Sequence, residues 1–193
     1  MEIFLLVAVL VIGGYILLTY NSLKTLQVRI KASIQEIGNQ LKRQAELIPN
    51  LESSAKGYLK HEKDIFDKLT DARKSVMSAV ESGSAQKMLD SQEKLNAALG
   101  SIRVVLESNP EIKGSEIVQQ LMGELRDTAD KIMYSRRTLI DLSADYNTKL
   151  ATIPSMWIAS LFSFKQEEGI KTPTSGEHLE VNNEEMKSPK VNL

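Results

Sequence analysis

The chain contains no cysteine, which removes disulfides, thiolate metal ligands, thiol nucleophiles and redox pairs together while leaving the compartment open. It also lacks an excess of either charge. Lysine and arginine number 24 against 25 aspartates and glutamates, so there is no basic field to neutralise a phosphate backbone, and nucleic acid is not an expected partner. Other absences concern catalysis. No glycine-rich phosphate loop, no Gly-x-Ser-x-Gly elbow and no nucleophile beside a base occurs. Neither of the two histidines has an acid three residues before it, as an inward-facing di-metal carboxylate bundle requires. The sequence therefore predicts no enzyme, no cofactor, no metal and no small-molecule substrate.

Aromatics, at 5 % of 193 residues, are scarce, as are glycine (10) and proline (5). Leu, Ala, Lys, Glu, Gln and Ser are plentiful, and these residues lose little rotamer freedom or pack easily in long helices. The length suits one domain with an appendage. The expected class is all-α.

The appendage is N-terminal. Residues 3–18 are all apolar, glycine or tyrosine, and with Thr19 and Tyr20 they make a helix of about 27 Å, just enough to cross a bilayer. Met1-Glu2 offers no basic n-region, and the run passes into Tyr20-Asn21-Ser22 without a small-residue cleavage site. The expectation is an uncleaved single-pass anchor over residues 1–20. Lys24, Arg29 and Lys31 follow the span, so the positive-inside rule puts the N-terminus outside and the remainder in the cytoplasm, at a cell (inner) membrane. The alternatives are an extracytoplasmic bundle and an internal bacterial membrane.

Beyond the anchor four segments carry a narrow apolar seam, at alternating spacings of 4 and 3 in the last three and slightly more loosely in the first. Leu23, Leu26, Ile30, Ile34, Ile37 and Leu41 form the first. Leu51, Ala55, Tyr58, Glu62, Ile65, Leu69, Ala72, Val76 and Ala79 form the second. The third runs from Ala85 through Leu95 and Ile102 to Leu106, and the fourth from Val118 through Leu125 and Leu139 to Tyr146. This is the pattern of a bundle or coiled coil. Ser82-Gly83-Ser84 separates the second and third segments. Asn109-Pro110 and Gly114-Ser115 separate the third and fourth, with Ser115 a candidate N-cap. At Pro49 the chain must kink or reverse. A helix from residue 21 to 81 would be about 90 Å long, and a third segment of about 36 Å could not cover it. The sequence thus predicts reversal at Pro49 and an antiparallel up-down-up-down four-helix bundle over residues 21–154.

Two sets of residues stand out as candidate sites. Glu62 is the only charge on its seam, where burial requires a cation, and Arg73, Arg136 and Arg137 are the candidates for that ion pair; a solvated seam at this point is the other reading. His61, adjacent to Glu62, diverges from it by about 100° and cannot chelate with it. The acids Asp64, Asp67 and Asp71, and Glu124, Asp127 and Asp130, form stripes that suit solvated faces, because no glycine-turned loop gathers their oxygens. The second set follows Pro154. Trp157, Leu161 and Phe164, with Ile158 and Phe162 beside them, give a short helix over residues 155–164 a broad apolar face. It would either touch the bilayer interface near the end of the anchor or close the bottom of the bundle core. From residue 165 to 193 there is almost nothing to bury, and a disordered tail is expected.

The order and spacing of several motifs match a known family. They are Tyr20-Asn21-x-Leu23, Leu41-Lys42-Arg43, Glu46-Leu47-Ile48-Pro49-Asn50-Leu51, Lys56-Gly57-Tyr58, His61-Glu62, Asn109-Pro110-x-Ile112-Lys113, Arg136-Arg137, Tyr146-Asn147 and Ile153-Pro154. In these the chain resembles the LemA family of bacterial membrane proteins, from Tyr20 to Phe164. Gln44 stands where the family usually has arginine, Leu139-Ile140 where a Tyr-Asn pair is usual, and Asn109 and Ile153 where aromatics are common. The resemblance implies an N-terminal membrane helix, an antiparallel helical bundle and no established biochemical activity. One branch is associated with building internal bacterial membranes, magnetosomes among them, and no residue here selects it. The expected function is a membrane-anchored scaffold or interaction protein with the bilayer and unidentified proteins as partners. The alternative is a membrane-remodelling protein.

Overall fold

The computed structural model describes residues 1–55, 63–109 and 114–170. Among these residues there are helices and no strands, as the composition predicts: α1 Glu2–Ala55, α2 Lys63–Ser82, α3 Ala85–Ser108, α4 Glu116–Ala151 and a short α5 Ser155–Leu161.

The first departure from expectation is in α1, which runs through Pro49 without reversing. Proline in a helix interior removes one backbone hydrogen bond and crowds the preceding turn, at a cost of about 3 kcal/mol. What keeps the helix going is its seam. Leu41, Ala45, Ile48, Leu51 and Ala55 are all fully buried, whereas Pro49 is only half-buried. Beyond the proline, burial of Leu51 contributes roughly 1.5–3 kcal/mol and Ala55 adds to it, enough to offset what the proline costs. The length argument for a reversal required only that the helix stop well before residue 81. Its described part ends at Ala55, six residues after the proline, and α2, reversed against it, is described from Lys63.

Helix α4 lies along α1 with its partners in opposite order. Ser22 meets Lys149, Gln27 meets Tyr146, Ser33 meets Ser135, and Gln44 meets Leu125. Along α2 the order is also reversed, with Gly38 against Val80 and Glu52 beside Thr70 and Arg73. Helices α2 and α3 pack on each other and are joined at Gly83, whose φ of +67° suits a residue with no Cβ. Ser84 caps α3, its hydroxyl accepting the Lys87 N–H at 3.4 Å. Ser115 occupies the N-cap of α4 without a side-chain capping bond. Gly38 lies against the hairpin, where a Cβ would make ordinary contact with the end of Met88, 3.4 Å from its Cε.

Helix lengths decide how much of α1 each partner can cover. The stretch of α1 after Tyr20 is about 52 Å long and α4 about 54 Å, but α2 and α3 are only about 30 and 36 Å. With its turn at Gly38, the hairpin covers the far part of α1 and leaves the part nearer the apolar span to α4 and the chain after α5. Contrary to expectation, that chain does not leave the fold at residue 165. Lys165, Glu167 and Gly169 sit successively against Tyr146, Asn147 and Ser143, and Phe164 and Ile170 pack on the core. Ile170 is an apolar side chain in a segment that composition alone marks as having nothing to bury. Residues 171–193 lie outside the described residues.

Candidate membrane-facing site

Residues 2–20 begin the helix that carries the bundle seam, and most of the side chains before Thr19 have no protein cover: Leu5, Leu6, Leu10, Leu17 and Leu18 are all exposed. This is the one helix among the described residues long and apolar enough to cross a membrane. The apolar run ends at Tyr20, where α5 arrives. The Tyr20 ring meets Phe162 edge-on with centroids 4.9 Å apart and Phe164 at 5.6 Å. Lys24 Nζ stands 4.9 Å from the Phe164 ring centre, and Lys149 donates to Ser22 Oγ one turn away. Aromatic edges and cations thus gather at the end of the apolar run, the arrangement favoured where an apolar interior gives way to polar headgroups.

Helix α5 is divided between two environments. Ser155, Ile158 and Ala159 are buried, with Ser155 Oγ donating to the Lys149 carbonyl at 2.7 Å and so fixing the turn after α4. Trp157, Leu161 and Phe162 are exposed, and Phe164 is half-buried. Of the five sequence-predicted contact residues, then, Ile158 and Phe164 face the protein, Trp157 and Leu161 do not, and Phe162 lies against Tyr20 with about half of its surface exposed. Met156, within the predicted segment, is exposed too, as is Ile153, which sequence reasoning missed. Ile153 precedes α5 across Pro154, so no helical spacing marks it. α5 ends with the Phe164 N–H on the Ala159 carbonyl at 2.9 Å and the Ser163 N–H on Ser160 at 3.1 Å. Ser163 takes φ 56° at the position where glycine is usual.

Near the end of α4, Tyr146 and Asn147 hold the returning chain. Tyr146 Oη accepts from Gln27 Nε2 at 3.0 Å and donates to the Lys165 carbonyl at 2.9 Å. Burial raises the Tyr146 pKa above its ordinary 10.0, the Glu167 carboxylate adds to this, and the Gln27 bond opposes it; the hydroxyl keeps its proton and remains a donor. Glu167 also borders a groove of about 600 Å³ floored by Ile30, Ile34, Gly38, Val80 and Met88.

Glu62 and His61 lie outside the described residues. Arg136 is half-buried and Arg137 exposed on α4, level with Ser33 of α1 through the neighbouring Ser135. Arg73 is level with Glu52, about 28 Å further along α1, so the three arginines do not converge on one partner. Glu52 is the acid that sequence reasoning missed. Desolvation raises its pKa above 4.5, while Arg73 and a hydrogen bond with Thr70 pull the other way. The acidic stripes meet cations at the surface: Asp71 with Lys74, Asp127 with Lys131 and Glu124 with Arg43.

These features define an all-helical protein with one helix able to cross a membrane. The LemA family profile matches residues 33–192, and the chain belongs to the LemA family. It is also similar to the magnetosome protein MamQ of Magnetospirillum gryphiswaldense, with 22 % identity over 202 aligned positions covering 91 % of this chain and 74 % of that protein.

Proposed function

We propose that the protein is a membrane-anchored helical scaffold or interaction protein without catalytic activity. Residues 2–20 of α1 cross the inner membrane, the N-terminus is outside, and an up-down-up-down four-helix bundle stands in the cytoplasm. The observation that supports this reading best is the continuity of α1. One helix carries both the uncovered apolar stretch and the buried seam from Leu23 to Ala55, so whatever binds the bundle is held rigidly at a fixed distance from the bilayer. Lys24, Arg29 and Lys31 at the start of the bundle support the cytoplasmic side. Membrane remodelling is the second reading, favoured by the exposed apolar side of α5 and by the likeness to MamQ. Proximity labelling from the C-terminus, run beside electron microscopy of liposomes carrying the full chain, separates the two. A scaffold labels a reproducible set of proteins and leaves vesicles round; tubulated vesicles would replace this reading with the second.

A further inference from the structure

We propose that the elbow formed by residues 153–162 is a second membrane contact, lying in the bilayer interface at a depth set by Tyr20. The inference rests on the reading of residues 2–20 as a span. Trp157 and Leu161, four apart on α5, are 61 % and 71 % exposed, and Ile153 in the turn before the helix is 66 % exposed, with Met156 and Phe162 exposed as well. No charged residue occurs between Lys149 and Lys165. A contiguous apolar surface of this kind on a seven-residue helix whose other side is already buried has no role in the fold, and water is a poor neighbour for it. Its position identifies its occupant. Phe162 packs on Tyr20, the last residue of the apolar run, so the exposed side of the elbow continues the exposed surface of Leu17 and Leu18. Any bilayer that covers those two leucines reaches the elbow as well. Tryptophan suits that depth because its ring and its N–H each find a preferred side, and Lys24 and Lys149, gathered at the same end of the bundle, meet anionic headgroups. Attachment at two points, span and elbow, holds the bundle against swivelling on its anchor.

Trp157 is the only tryptophan, so its emission in the full chain reports on this site alone. The chain is reconstituted into phosphatidylcholine–phosphatidylglycerol vesicles, floated, and compared with vesicles whose lipids are brominated near the head or near the methyl end of the acyl chain. The expected result is flotation with most of the Trp157 emission lost to shallow bromines and little to deep ones. The double variant Ile153→Ser and Leu161→Ser, which alters only exposed positions, should float equally and lose much of that quenching. Flotation with no quenching by either lipid overturns the elbow contact and leaves the anchor standing; it is also the outcome if a second copy covers the site. Unchanged quenching in the double variant overturns it too, since the span alone would then hold Trp157 there. A chain that fails to float overturns the anchor and the elbow with it.

Discussion

Asn147 grips the backbone of Glu167 from both sides, its Nδ2 donating to the carbonyl at 2.8 Å and its Oδ1 accepting the N–H at 3.1 Å. A side-chain amide bonded in this way mimics a neighbouring strand and reads main chain, not side chain. It lies on the part of α1 and α4 that the short α2–α3 hairpin leaves uncovered, and the returning chain supplies the missing cover there.

Asn147→Ala should release that segment while leaving the helices intact. Two hydrogen bonds at about 0.5–1.5 kcal/mol each are lost, and the amide of Glu167 should exchange with deuterium close to the rate of an unstructured chain. Retained protection at Glu167 would mean that packing of Phe164 and Ile170 alone holds the segment.

Gln44 is fully buried between α1 and α4, with Nε2 donating to the Leu125 carbonyl at 3.2 Å and Oε1 without a partner. The same carbonyl accepts Thr128 Oγ1 at 2.8 Å, so it is not stranded when Gln44 is replaced. Gln44→Met removes an unsatisfied acceptor at similar volume and should stabilise the protein by about 1 kcal/mol. Thermal unfolding of the detergent-solubilised chain measures this, and a fall in the midpoint would show that Oε1 is satisfied in solution.

Pro49→Ala restores an N–H for the Ala45 carbonyl and removes a helix-interior proline, which costs about 3 kcal/mol relative to alanine in an unadapted helix. Because α1 is continuous through this position, stability should rise, by about 1 kcal/mol or more. A chain that reversed at Pro49 would lose stability instead.

Glu52 has a folded-state pKa above 4.5, so in the window just above 4.5 the folded chain binds more protons than the unfolded one. Stability due to this residue therefore falls as pH rises through that window and is fully present below it. Glu52→Gln should flatten this part of the stability profile in denaturant titrations at stepped pH. It should also leave the protein no less stable at neutral pH, since desolvation outweighs the attraction of Arg73.

Much of the architecture is legible in the sequence. The seams of Leu23–Leu41 and Val118–Tyr146 spacing, the apolar run to residue 20 and the turn at Gly83 are local patterns, and each marks an element where it occurs. Pro49 misleads because a local breaker says nothing of the buried partners on either side of it, and those partners decide the outcome. The hold of Asn147 on Glu167 leaves no periodic signal, since it pairs a helix with backbone twenty residues on; the Tyr146-Asn147 motif marks the residue but not its partner. Likewise the division of α5 into Ile158 and Ala159 inward and Trp157 and Leu161 outward depends on where Tyr20 lies, which periodicity does not specify.

Absence of cysteine makes the anchor directly testable by introducing one thiol at a time. In the full chain reconstituted into sealed vesicles, Leu6→Cys and Leu10→Cys should resist a membrane-impermeant maleimide until detergent is added. Lys24→Cys should react without detergent in those molecules whose bundle faces outward. Equal labelling of Leu10→Cys and Lys24→Cys on intact vesicles would contradict a spanning α1, and with it the account of this protein as a bundle built on its own membrane helix.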